Sequence, residues 1–385
     1  MNKRLKLSTE AASGLVLMLA SLLAIILANS PLAPYYDLLL SVHGAVLLNG
    51  YGIEKPVLLW IDDGLMAVFF LMVGLEIKRE ALSGELSNIR DAALPVLAAI
   101  GGMSVPALVY LGVAWNAPFA RDGWAVPAAT DIAFSLGVMA LLGSRVAPSL
   151  KLFLTALAII DDLGAIVIIA VFYTSSLSWI SLTGALIALG ILLVLNLMRV
   201  QRLVWYVLVG IILWVFVLKS GVHATLAGVA LAFAIPHRTD AEGNSLLLRL
   251  EHDLRPWVAF FILPLFGFAN AGLSFAGLSL SSLLQPIPLA IAAGLFVGKQ
   301  AGVFGAVVLV VRLGWGALPR GASWRTIYGT SVLTGMGFTM SLFIGTLAFG
   351  ASPHEAAMRL GVLLGSVLSG VVGAVILATS APKRA

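Results

Sequence analysis

Residues 152–172 read LFLTALAIIDDLGAIVIIAVF, a run of 21 residues whose only charged side chains are the adjacent Asp161 and Asp162. A stretch of this length and polarity spans a bilayer as a helix. One carboxylate at the centre of such a span costs about 2.5 to 3.5 kcal/mol on insertion scales, and adjacent like charges also repel. The pair therefore reads as an ion or proton site inside a membrane.

Composition agrees with that setting. Of 385 residues, 60% are apolar and 11% charged, and the mean hydropathy is +1.04, values foreign to a soluble domain. The net charge of +5 does not point to nucleic acid, because Lys and Arg are scattered through short loops, which is a topology signal. Cysteine is absent, which excludes disulfides, thiolate metal sites and thiol catalysis.

Working outward along the chain gives twelve apolar segments, near 9–30, 57–76, 93–115, 122–143, 150–173, 178–198, 203–218, 221–236, 256–274, 287–311, 326–350 and 357–379. The boundaries around Lys219 are soft, since it is the only charge between two short segments. Lys3, Arg4 and Lys6 before an apolar run ending in Ala28-Asn29-Ser30 resemble a signal peptide. Eleven further spans favour an uncleaved first helix instead. Of the 23 Lys and Arg residues, 18 fall at the two ends and in alternate loops, against Lys55, Arg121, Lys219 and Arg359 on the other side. This asymmetry predicts an even number of spans with both termini cytoplasmic.

One outer loop differs. Val46-Leu47-Leu48 and Tyr51-Gly52-Ile53 flank Asn49-Gly50, a dipeptide that favours a tight hairpin turn. An isolated two-stranded hairpin is marginal, so this one is expected to pair with something.

Ionisable groups inside the spans are few: Asp62, Asp63, Asp131, Asp161, Asp162 and Lys299, with His223 opening the eighth segment. Asp62 and Asp63 stand near a span end and read as groups that snorkel to the interface. The other four lie too deep, leaving either a structural ion-pair network or an ion pathway. Carboxylate oxygens with backbone carbonyls and Thr130 nearby suit a small alkali cation rather than a soft transition metal. Burial and mutual repulsion oppose two negative charges at Asp161 and Asp162, so protonation competes with cation binding. Lys299 could neutralise one of them while the other binds.

Two segments carry helix breakers. Pro127 precedes Thr130 and Asp131 in the fourth, and Gly335 and Gly337 sit mid-segment in the eleventh. Interrupted spans at corresponding points of two halves mark transporter binding sites. A faint repeat accompanies them, Phe134-Ser135-Leu136 and Met340-Ser341-Leu342. Gly294, Gly298 and Gly302, at four-residue spacing, read instead as close helix packing.

Six stretches carry a resemblance: LLWIDDGLMAVFFLMVGLEIKRE (58–80), GWAVPAATDIAFSLGVMALLGSRV (123–146), ALAIIDDLGAI (156–166), LKSGVHATLAG (218–228), ILPLFGFANAG (262–272) and GMGFTMSLFIG (335–345). In this order, over nearly the whole chain, they resemble the NhaA-type sodium/proton antiporters of bacteria. The resemblance implies an all-α polytopic inner-membrane protein with inverted-topology repeats, whose fourth and eleventh helices are interrupted and cross near the midplane. The whole chain, 1–385, is then one transporter domain. It also implies Asp162 as principal cation ligand with Asp161 its partner, Lys299 salt-bridged to the pair, and Thr130 and Asp131 at the crossing. In that crossing Asp131 balances positive helix ends and Lys299 negative ones. Asp63 is implied to face an outer funnel, and Asn49-Gly50 to lie in a periplasmic hairpin that makes a homodimer. Glu76, Arg79, Glu80, Glu251 and His252 match a pH-response cluster, and His223, the histidine of the KSGVHATLAG motif, is expected to take part in the pH response with them.

The expected function is electrogenic, pH-dependent export of Na+, and of Li+, against entering protons by alternating access. Na+ and Li+ are cargo, and no cofactor is expected. In 249–257, Arg255 replaces a histidine frequent in the family, which shifts the expected pH threshold because arginine stays cationic. Two rivals fit less well. An intramembrane aspartyl protease needs carboxylates on facing helices, whereas Asp161 and Asp162 stand about 100° apart on one helix. A cation channel needs a ring of donors and no lysine beside the site.

Overall fold

The computed structural model describes residues 8–48, 51–84, 87–174, 177–238, 245–350 and 352–380. Helix dominates, with one two-stranded antiparallel sheet among the described residues. Among the described residues, eight helices are long and apolar enough to cross a membrane, and two bent pairs raise the number to as many as ten. The bent pairs are Pro118–Ala128 with Ile132–Leu141, at 49°, and Trp324–Leu333 with Phe338–Phe349, at 41°.

Two segments expected to span are shorter or more irregular than their hydropathy implied. In 221–236 the helix Leu226–Ala234 has only nine residues, because Gly221, at φ 86, ends the preceding helix in the left-handed region. In 256–274 the helix Leu246–Trp257 continues through a wide turn, Val258–Ile262, into Leu263–Asn270. Pro264 removes a backbone donor there, and the local shift to wider bonding accommodates it.

The chain forms two compact units. The first comprises residues up to Leu22, Asn88–Ala165 and Leu273 onward. Its centre is the approach of Ile89–Val113 to Pro286–Arg312, which the glycines permit. A Cβ on Gly302 would stand 2.1 Å from the Gly101 carbonyl oxygen, and one on Gly298 would stand 2.5 Å from Pro106 Cα. Gly294 abuts Pro127 in the same way. Where lipid is as apolar as leucine, such close backbone packing is what holds helices together, and the packing expected of these three glycines is present.

The second unit comprises Leu23–Ser87 and Ile166–Gly272. Its core gathers Leu75, Leu192, Tyr206, Leu213, Ala232 and Ile235. Strands His43–Leu48 and Tyr51–Pro56 pair from Leu48 with Tyr51 to His43 with Pro56, as the sequence predicts. The turn residues Asn49 and Gly50 lie outside the described residues.

Candidate functional site

The site is built where two helices stop. Pro118–Ala128 is wound as a 3-10 helix, the chain is extended at Ala129, and Asp131 then caps Ile132–Leu141. Its Oδ1 accepts from the Phe134 backbone N–H at 3.0 Å. Its Oδ2 accepts from the Thr339 backbone N–H at 2.9 Å and from the Thr339 hydroxyl. One buried carboxylate thus takes up the donors at the start of both Ile132–Leu141 and Phe338–Phe349, where helix dipoles favour negative charge.

The carbonyl ends of the two breaks are satisfied by exchange. The Asp131 N–H donates to Met336 O at 2.7 Å, and the Ser135 hydroxyl to Leu333 O at 3.1 Å. In return the Ser341 hydroxyl donates to Val126 O at 2.7 Å. Ser135 and Ser341 are the paired serines of the faint sequence repeat, and they perform matching tasks. Gly335 and Gly337 do not adopt positive φ; they provide room. A Cβ on Gly335 would stand 2.3 Å from Leu295 O, and one on Gly337 2.1 Å from Ser341 Oγ.

Beside the breaks, Pro148–Phe172 presents Asp161 and Asp162, both buried. Lys299 follows the wide turn Gly294–Gly298 and is fully buried. Its Nζ lies 2.5 Å from Asp161 Oδ2 and 2.9 Å from Thr130 Oγ1. The Thr130 hydroxyl stands 2.6 Å from Asp161 Oδ2 and 3.0 Å from Thr334 O. With a single hydrogen it donates to one of them at a time. Asp161 Oδ1 has no hydrogen-bond partner among the described residues. Formally, Lys299 against Asp161 and Asp162 leaves one negative charge.

Other predicted residues fall into two groups in the second unit. Lys55 Nζ lies 2.6 Å from Asp63 Oδ2, and His223 Nε2 lies 3.8 Å from Asp63 Oδ1. Arg79 reaches Glu251 at 2.9 Å, Glu80 at 2.5 Å and Glu76 at 3.8 Å. Arg255 joins this cluster at 3.0 Å from Glu251. His252, next to Glu251 on the same helix, is exposed. His223 stands with Asp63 rather than with the cluster.

Asp62 corrects the reading of a snorkelling surface charge. It is 7% exposed and accepts from Asn270 Nδ2 at 2.8 Å. The wide turn Ile61–Leu65 re-aims it inward. Sequence reasoning also missed His237, whose ring nitrogens lie 3.2 Å from Ser83 Oγ and 3.1 Å from Ser245 Oγ. Burial and the nearby Lys78 and Arg79 push its pKa down. A histidine just after Ile235-Pro236 at a span end was the available signal.

The family model described as Na+/H+ antiporter 1 matches residues 4–377. The chain is 57% identical over 381 residues to the Na(+)/H(+) antiporter NhaA 1 of Syntrophotalea carbinolica, covering 98% of this chain and 96% of that protein. It is 58% identical over 386 residues to the Na(+)/H(+) antiporter NhaA of Rhodospirillum rubrum, covering 97% and 96%. Against the protein of that name from Bordetella parapertussis the identity is 56% over 381 residues, with 98% and 96% covered.

Proposed function

Because the chain belongs to the Na+/H+ antiporter 1 family, we propose how this multi-pass membrane protein carries out its Na+/H+ exchange. It is a transporter and not an enzyme. Asp162 is the principal ligand of Na+, and Asp161 is the partner whose charge Lys299 offsets when the cation is absent. The observation that carries this is the buried Lys299–Asp161 contact of 2.5 Å beside a second buried carboxylate. Cation and proton compete for the same oxygens, so the site holds one or the other, and alternating access exposes it to one face at a time. Li+, equally hard and monovalent, is accepted as well.

Two protons replacing one monovalent cation would move net charge. The membrane potential supplies about 2.3 kcal/mol per charge at 100 mV and can drive export. Asp131 offsets the positive ends of the two broken helices and Lys299 the negative ones. The matched roles of Ser135 and Ser341 support inverted repeats within a twelve-span architecture, and the Lys and Arg distribution supports cytoplasmic termini in the inner membrane. The whole chain acts as one transporter domain. Val46 and Leu47, 67% and 55% exposed on the first strand, support a homodimer joined through the hairpin. Asp63 lines the outer approach. Arg79 with Glu76, Glu80 and Glu251 forms the pH-responsive cluster, which Arg255 joins through Glu251.

Reconstitution into liposomes with an imposed pH gradient tests this. Addition of Na+ or Li+ should collapse the gradient, and Asp162→Asn should abolish the response. Wild-type exchange in that variant removes Asp162 from the site, and a rate indifferent to membrane potential refutes electrogenic exchange.

A further inference from the structure

The second unit holds a buried acid that the exchange site does not use. Asp62 stands in the wide turn Ile61–Leu65, and its Oδ1 accepts from Asn270 Nδ2 at 2.8 Å. The other amide hydrogen of Asn270 faces Phe266 O at 3.3 Å. That accounts for both donors of the amide but not for its acceptor. Asn270 is fully buried, and no donor among the described residues reaches its Oδ1. A buried acceptor left unmatched costs about 1 to 3 kcal/mol.

We propose that Asp62 and Asn270 form a second proton-binding site, in which a proton on the Asp62 carboxyl is donated to the orphaned amide oxygen of Asn270. An ionised carboxylate only accepts, whereas a carboxylic acid both accepts and donates. Protonation therefore supplies the donor that Asn270 lacks while keeping the bond already present. The pair then closes as an acid and an amide joined by two hydrogen bonds.

The charged surroundings are compatible with this assignment. Asp63, the next residue, is held by Lys55 at 2.6 Å, with His223 Nε2 at 3.8 Å. Val57–Trp60 and Leu263–Asn270, which pack against the turn, contain no titratable side chain. Met66–Ser83 carries Glu76, Lys78, Arg79 and Glu80, of which Glu76 lies fourteen residues beyond Asp62, about 21 Å along a helix. Leu203–Ser220 meets the turn through Trp214, and its Tyr206 and Lys219 stand eight and five residues from that contact. The proton site is separate from the assignment of Asp162 and does not depend on it.

Infrared difference spectra of the full-length protein in lipid, recorded across a pH step, test the proposal. The wild type should show the carbonyl stretch of a protonated carboxylic acid that is lost in Asp62→Asn. Asn270→Ala, which keeps the acid and removes its partner, should shift that band. Persistence of the full set of acid bands in Asp62→Asn, or an unmoved band in Asn270→Ala, overturns the proposal. A band that responds to Na+ at fixed pH and not to pH would make the pair a cation site, and overturns it equally.

Discussion

Lys299 and Asp161 are joined at 2.5 Å with neither side chain exposed, and Thr130 is the third member of the contact. Two charges removed from water hold each other in place only as a pair, because either one alone would be left uncompensated. The pair is therefore a structural element beside the buried Asp162.

Removing one partner should be costlier than removing both charges. Lys299→Ala is expected to destabilise the protein by about 3 to 5 kcal/mol, and the double variant Lys299→Gln, Asp161→Asn by less. Thermal unfolding in detergent measures this. Equal melting points for the two variants would show that the contact carries no such coupling.

Asp131 caps two helices, so its loss should cost two caps. At about 0.5 to 2 kcal/mol each, Asp131→Ala is expected to lose about 1 to 4 kcal/mol, and Thr339→Val, which keeps the backbone bond, less. The same unfolding measurement decides. A larger loss from Thr339→Val than from Asp131→Ala would contradict the double-cap geometry.

Two glycines of one helix should respond in opposite directions to alanine. Gly302 packs against the Gly101 carbonyl, whereas Gly305 has nothing within 4 Å of an added Cβ. Gly302→Ala should cost about 1 to 3 kcal/mol through overpacking. Gly305→Ala should gain up to about 1 kcal/mol from helix propensity. Matching melting points would show that the two backbones do not touch as described.

His237 makes stability depend on pH with a fixed sign. Its pKa in the folded protein lies below the ordinary value of 6.5, so the folded state binds its proton less readily than the unfolded state. Its contribution is present above pH 6.5 and is lost as pH falls through the lower folded value. His237→Gln should flatten that acid-side loss. Superimposable stability profiles of wild type and variant would exclude the histidine as its source.

The charged members of the site were legible because each is an anomaly against an apolar background, as with Asp131, Asp161, Asp162 and Lys299. Pro127 and the Gly335/Gly337 pair marked the breaks for the same kind of reason, a residue that disagrees with its helix. The hydroxyl groups were not legible. Ser135, Thr339 and Ser341 look like ordinary helical residues, since Ser and Thr in apolar helices commonly bond their own preceding turn, as Thr330 does to Thr326 O. Only the crossing of two chains distinguishes them. Asp62 misled for a further reason: distance from a span end is counted on a regular helix, and the wide turn at Ile61–Leu65 turns the side chain inward.

The exchange of bonds between Ser135 and Leu333 O, and between Ser341 and Val126 O, has a mechanical consequence. Rotation of Ile132–Leu141 by itself breaks the Ser135 bond to Leu333 O, which keeps the Met336 N–H at 3.0 Å, and rotation of Phe338–Phe349 by itself breaks the Ser341 bond to Val126 O, each at about 0.5 to 1.5 kcal/mol for a lost hydrogen bond. Each of these half-helices is thereby tied to the preceding half of the other break. A motion that keeps these bonds moves Pro118–Ala128, Ile132–Leu141, Trp324–Leu333 and Phe338–Phe349 as one body, with Asp131 pinning its centre.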